Sequence, residues 1–212
     1  MRQALRDRLL AATLWCWAAG PMVDWSIRLA TIGLGTNPQE LLLRAMGQWI
    51  VALLLVILSL PLLEQLFGLG LLRLRRMLGL WCFFYAALHL LAFAQFEHDL
   101  LWTAFMRDLF TRPFVTMGTL SFLALLALAL TSNRWSQLKL GENWKRLHWM
   151  VWPAAWLGIV HYALHKAGKN DFEAPATAAL SLCVIWLLRR QQAKKKRAAR
   201  RAALNRVAHG VE

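Results

Sequence analysis

The sequence predicts an all-α, polytopic membrane protein built as a six-transmembrane-helix bundle, and three observations carry that expectation. The 212 residues are 58% hydrophobic, with a mean hydropathy of +0.42, where soluble globular chains run ~45–50% apolar. The formal net charge is nevertheless +14, so apolar and charged residues must be segregated, as they are when charge is confined to membrane loops. Long apolar runs also recur six times. This composition excludes a disordered chain, which needs low hydrophobicity. It argues against an ordinary nucleic-acid-binding domain in spite of a pI near 11.0.

Taken in order, the first span, 9–30, follows Arg2, Arg6 and Arg8 and contains Asp24 and Arg28. Its Ala18-Ala19-Gly20 stretch resembles a signal-peptide cleavage site, but an uncleaved first helix is the expectation for a multi-span chain. The spans 45–63, 77–96 and 113–131 approach the ~20 apolar residues that a crossing helix needs. The fifth, 148–165, contains Pro153, which removes a helical hydrogen bond and can kink the segment. The sixth, 174–190, is short and ends at Arg189-Arg190. Residues 1–190 form the transmembrane unit and 191–212 a basic tail, with no repeat, linker or second soluble domain.

The charges set an orientation. Nineteen of the 25 Lys and Arg lie at the N-terminus, in the 64–76 and 132–147 loops and in the tail, while seven of the eleven acids lie on the other side. Positively charged loops stay cytoplasmic, which places both termini in the cytoplasm. The tail run Lys194-Lys195-Lys196-Arg197 reads as a juxtamembrane stop that touches anionic lipid rather than as a nucleic-acid patch. Trp25, Trp49 and Trp102 fall near one boundary and Trp135, Trp144 and Trp149 near the other, as interfacial anchors do. Cys16, Cys82 and Cys183 sit in apolar runs without a C-x-x-C or C-x-x-C-H motif, so any haem would be held non-covalently.

Ionisable residues inside a membrane are functional by default, and His89, His148 and His161 are the candidates. His89 lies 13 residues past Arg76 and His161 lies 15 past Arg146; at ~1.5 Å per residue both reach a similar depth. Two neutral imidazoles at one level, with no carboxylate or cysteine beside them, suit a haem with two axial histidines. Cys82 and Ala86 share the His89 face and are small enough to admit a porphyrin. His148 sits at the basic boundary, and the residue one helical register below His89 is Arg75 rather than a second histidine. A rival from the same residues is a histidine-lined proton path in a transporter.

Several strings together resemble a known family: Arg75-Arg76-Met77-Leu78-Gly79-Leu80-Trp81-Cys82 with His89, Thr111-Arg112-Pro113-Phe114 with Gly118, Leu130-Thr131-Ser132, and Lys139-Leu140-Gly141 with Trp144, His148 and His161-Tyr162. The pattern is similar to the ferric-reductase-like transmembrane domain. Within it, the pattern most resembles the haem-binding membrane subunits of bacterial periplasmic methionine-sulfoxide reductase systems. The resemblance implies an inner-membrane subunit that carries electrons through haem b, held by His89 and His161 between the third and fifth spans. The acceptor it implies is a periplasmic molybdopterin-dependent catalytic subunit that repairs oxidised proteins. The chain itself would lack a substrate-reducing active site. The resemblance also implies flavin mononucleotide (FMN), with Arg75, Arg76, Lys139, Lys145 or Arg146 as candidates for its phosphate, and Arg75 and Arg76 alternatively for a haem propionate. His148 is then a haem ligand or a residue of this inner site. The wider superfamily stacks two haems, and Arg75 stands where the second ligand on the third span would be. No G-x-G-x-x-G occurs, so electrons would come from quinone or a separate cytoplasmic flavin reductase.

The 97–112 loop, with Leu100, Leu101, Trp102, Phe105, Leu109 and Phe110 among Asp99, Arg107 and Asp108, is expected to form an amphipathic surface helix. It serves either as a docking surface for the partner or as a plain re-entry helix. His98 and His165 are expected to be solvated at loop edges, and His209 exposed in the tail.

Overall fold

A computed structural model of the chain describes residues 2–168 and 170–209, with side chains between 5 and 205. Every regular element within them is helical. The order is α1 (Arg2–Thr31), α2 (Pro38–Phe67), a 3-10 turn (Leu71–Leu74), α3 (Arg75–His98), α4 (Trp102–Thr111), α5 (Pro113–Leu130), α6 (Arg134–Leu140), α7 (Glu142–His148), α8 (Val151–Ala167) and α9 (Glu173–His209). By length and composition three stretches can cross a membrane: Pro38–Phe67, Leu71–His98 and Pro113–Leu130. The first two contain the second and third expected spans, and the last holds all but residue 131 of the fourth. The first and sixth fall in α1 and α9, and the fifth begins at the end of α7 and continues in α8. Helix α1 carries Asp24 and Arg28, α8 has 17 residues, and α9 runs unbroken from apolar residues through the basic stretch to His209.

Local chemistry sets the ends of α2. Asn37 caps it: its side-chain oxygen accepts the Glu40 N–H at 3.2 Å and its amide donates to the Glu40 carboxylate, with Pro38 at the first helical position. Gly68 ends the helix in the left-handed conformation, φ +59°, and its N–H reaches Glu64 O, a closure that suits a residue without a Cβ. The Glu64 carboxylate then accepts from the backbone N–H groups of Gly70 and Leu71. It thereby ties the turn that delivers Arg73, Arg75 and Arg76 to the start of α3.

The fifth expected span is divided. Helix α7 ends at His148 and α8 starts at Val151, so His148 and His161 do not share a helix. Pro153 therefore kinks nothing; it falls in the first turn of α8, where its missing N–H would have had no intrahelical partner.

Buried polar groups are matched across helices. Tyr85 is fully buried and its hydroxyl donates to Ala18 O at 2.8 Å, tying α3 to α1. Ser121 donates to Ala154 O at 2.8 Å, tying α5 to α8. These two helices pack most extensively of all the pairs, and small residues line their seam: Gly118, Ser121, Ala154, Ala155 and Gly158. In an apolar solvent helices associate through close backbone approach and such hydrogen bonds rather than through hydrophobic burial. The α5–α8 seam is therefore a rigid frame, and α2 and α3 lean against it.

Candidate cofactor site

Helices α2, α3, α5 and α8 enclose two cavities stacked along their length, and the side chains of Leu54 and Leu125 border both. The cavity nearer α4 lies between these helices and reaches Phe105 of α4. Its walls are apolar and aromatic, including Ala86, Phe93, Phe105, Phe114 and Phe122, and its main polar groups are His89 and His161. The structure brings these two histidines together from α3 and α8: their ring centroids are 6.1 Å apart and their planes lie at 89°.

A glycine faces each ring, but only the His161 ring rests in a notch that needs one. A Cβ on Gly47 of α2 would lie 3.6 Å from His89 Cε1, and one on Gly118 of α5 would lie 2.7 Å from His161 Nδ1. The Nδ1–H of His161 donates to Phe114 O at 2.7 Å. That bond fixes the tautomer and leaves Nε2 as the basic nitrogen, the arrangement that orients metal-ligating histidines. The His89 ring lies against the Leu43 carbonyl, but its buried Nδ1 makes no well-formed hydrogen bond.

The donor set indicates what the pair can hold. Among the described residues, no cluster of three His, Cys, Asp or Glu is available for a bare metal ion. Two imidazoles suffice when a macrocycle supplies the other four nitrogens. His89 and His161, with ring centroids 6.1 Å apart, would be the residues to hold such a group. Ala86 lines this cavity as expected. Cys82 instead borders the other one, with its thiol 3.9 Å from Ile50 O.

The second cavity opens at the basic end and is lined by Arg73, Arg75, Arg76, Cys82, Trp144 and His148 among others. His148 lies against Thr131 Oγ1 at 3.2 Å and stacks on Trp144 at 3.9 Å, 28° between planes. Trp144 donates its indole N–H to Thr131 O at 2.9 Å. This tryptophan is also a wall of the cavity, a role its sequence position did not reveal. Of the candidate basic residues, Arg75 and Arg76 line the cavity; Lys139 lies over the Trp135 ring, and Lys145 and Arg146 are exposed on α7. Among the described residues, no second histidine lines the His148 cavity.

One expectation is overturned. His98 is buried, 8% exposed, with Nε2 3.3 Å from Asp108 Oδ2, and Arg112 Nε lies 3.1 Å from the same oxygen. The amphipathic α4 folds its Asp108 inward onto the end of α3, and Phe93 and Phe105 meet the His98 ring edge-on. Loop position suggested solvent; the charge partner four residues before Arg112 was the overlooked signal. His165 is exposed, as expected, and stacks on Phe114 at 5.6 Å. The side chain of His209 lies outside the described residues.

An all-helical bundle with three membrane-length stretches defines a helical membrane protein. Residues 43–173 match the family described as "Ferric reductase like transmembrane component", and the chain belongs to that family. Its relatives sharpen this. It is 41% identical over 169 residues to the protein-methionine-sulfoxide reductase heme-binding subunit MsrQ of Bordetella pertussis, covering 78% of this chain and 82% of that one. Proteins of the same name from Herminiimonas arsenicoxydans and Rhodospirillum rubrum are 38% and 36% identical. They cover 89% and 93% of this chain and 88% and 95% of their own lengths. No solved structure matches.

Proposed function

We propose that the chain is the haem-binding, electron-transferring membrane subunit of a methionine-sulfoxide reductase system. The observation that carries this is the His89–His161 pair, 6.1 Å apart across an apolar cavity, in a chain whose relatives are named heme-binding subunits. On this reading the two imidazoles hold a haem b, which supplies reversible one-electron chemistry inside a low-dielectric slab. The Phe114 carbonyl holds His161 in the ligating tautomer, the phenylalanine walls exclude water, and the small residues of α3 and α5 leave room for a macrocycle.

The proposed topology has six crossings in a bacterial inner membrane with both termini cytoplasmic. It rests on the concentration of arginine and lysine at one end of the bundle. Electrons then enter at that end from quinone or a cytoplasmic flavin reductase. They leave towards a periplasmic molybdopterin-dependent catalytic subunit. The His148 cavity, with an aromatic wall at Trp144 and cationic residues at its mouth, suits a flat, anionic cofactor, and FMN is the one we assign there. A second reading, a haem ligated by His148, is favoured by the imidazole in that cavity. Haem-to-protein stoichiometry separates the two: one haem per chain accords with flavin and two with a second haem.

The experiment that tests the transmembrane role uses proteoliposomes containing the full-length protein. The reductant is sealed inside, and the catalytic subunit with a sulfoxide substrate is placed outside. Sulfoxide reduction is expected with the wild-type protein and its loss with His89→Ala; equal rates in protein-free vesicles would defeat the proposal.

A further inference from the structure

Among the described residues, two runs of aromatic rings lead from the His89–His161 cavity towards the end of the bundle remote from the basic residues. One runs through α5 and α8. Phe114 lines the cavity, and its ring meets that of His161 at 6.0 Å, with 46° between planes. The same phenyl ring stacks on His165 at 5.6 Å and 21°, and His165 is exposed. The other run goes through α4: Phe105 lines the cavity and stacks on the exposed Trp102 at 5.8 Å and 27°.

Helix geometry builds the first run. His161 and His165 are one turn apart on α8, so their side chains share a face, and Phe114, the second residue of α5, touches both. His161 lies six residues before Ala167, the end of α8, which is ~9 Å at 1.5 Å per residue. The route from cavity to surface is therefore short. It also starts on a paired histidine, because Phe114 O accepts the His161 Nδ1–H at 2.7 Å. The rings that Phe105 meets are Phe93, His98 and Trp102, none of them of the pair.

The two runs end on different surfaces. Trp102 borders a groove with Leu91, Leu100 and Leu101, all exposed, an apolar surface that suits lipid tails. His165 offers an imidazole that can bond to water or to a protein surface. Arg112, two residues before Phe114, is about half exposed while its partner Asp108 is buried, so positive charge faces outward beside this ring, and an acidic partner rim complements it. We propose that electrons leave the protein at His165, against a water-soluble oxidoreductase with an acidic rim, and that Phe114 bridges His165 to His161. The inference rests on the haem assignment above and gives the transfer to the catalytic subunit its place on the chain. One electron passes from the group that His89 and His161 hold to a one-electron acceptor centre of the partner. The first is oxidised and the second reduced; no bond forms or breaks, and no proton is required. Neither Phe114 nor His165 is oxidised. Their packed rings carry electronic coupling, which decays more steeply across empty space than through atoms in contact.

The test uses full-length protein in nanodiscs, haem-loaded and haem-free, with the purified catalytic subunit of the reductase system. Photocrosslinking compares His165→benzoylphenylalanine, Trp102→benzoylphenylalanine and, at the basic end, the exposed Leu138→benzoylphenylalanine. A crosslinked adduct is expected from position 165 with and without haem, and none from position 138. Stopped-flow absorption then follows reoxidation of the pre-reduced protein on mixing with the subunit. His165→Ala is expected to slow reoxidation and to weaken the complex by roughly tenfold or more, as at the centre of an interface. His165→Phe keeps a ring against Phe114 and restores most of the rate, and a Soret band equal to wild type in both variants shows that fold and haem are intact. An adduct from position 102 and none from 165, a wild-type rate in His165→Ala, or a His165→Phe rate as low as that of His165→Ala overturns the proposal. A wild-type protein without a Soret band would instead count against the haem assignment, and crosslinking of the haem-free protein still decides the contact surface.

Discussion

Phe114 on α5 accepts a 2.7 Å hydrogen bond at its backbone carbonyl from Nδ1 of His161 on α8. The bond is possible because residue 118, one turn further along α5, has no side chain: a Cβ there would stand 2.7 Å from the same nitrogen. A backbone acceptor cannot be removed by substitution at 114, but the approach can be blocked at 118. Gly118→Ala is expected to push the His161 ring out of register and weaken haem retention by about 10- to 100-fold, the usual cost of disturbing a ligand's hydrogen-bonding shell. Haem titration of the apoprotein, followed at the Soret band, measures this. Unchanged affinity would show that the notch is incidental.

His89→Ala leaves the α5–α8 frame untouched, and His161→Ala removes the bond to Phe114 O but keeps the Ser121–Ala154 tie between the two helices. Both variants are expected to accumulate in the membrane with most haem lost. His148→Ala is expected to keep the two-histidine haem spectrum, because His148 stands in the other cavity against Thr131 and Trp144. Low-temperature absorption spectra of the three purified variants check the contrast.

The His98–Asp108–Arg112 cluster pins α4 onto the end of α3. Asp108 is 2% exposed, so Asp108→Ala leaves His98 and Arg112 without the carboxylate they both approach. Arg112 is about half exposed, which moderates the cost, and a loss of about 1–3 kcal/mol is expected. Thermal unfolding in detergent monitors it. The buried position also means that charge reversal at Asp108 reports on folding, whereas substitutions at the exposed Trp102 and Phe110 are the informative tests of partner docking on α4.

Tyr85→Phe removes only the hydroxyl that donates to Ala18 O. A destabilisation of about 1 kcal/mol is expected, read from the same unfolding measurement, with haem content unchanged because Tyr85 faces α1 and not the cofactor cavities.

Hydropathy and depth arithmetic made the helical class, the three strongest spans and the shared level of His89 and His161 legible in the sequence. A 3.6-residue repeat and a 1.5 Å rise are properties of any helix, so two residues at equal distances from charged ends reach equal depth. What pattern reading missed depended on tertiary contact. The break between His148 and Val151 is one case, because Pro153 is compatible either with a kink or with a helix start. The inward turn of Asp108 onto His98 is another, since an amphipathic surface helix also presents acids to water. Trp144 looked like a boundary anchor because an indole beside a charged loop usually is one, and only its stacking on His148 shows that it walls a cavity.

The central claim is that His89 and His161 together hold a haem. The most direct measurement is the absorption spectrum of the purified full-length protein, oxidised and reduced, beside that of His89→Ala prepared identically. The account predicts a red wild-type protein with a Soret band and the reduced spectrum of a haem b with two nitrogen ligands, and a His89→Ala variant that is folded and nearly colourless. A folded wild-type protein without a Soret band, or full haem retention in His89→Ala, would contradict it.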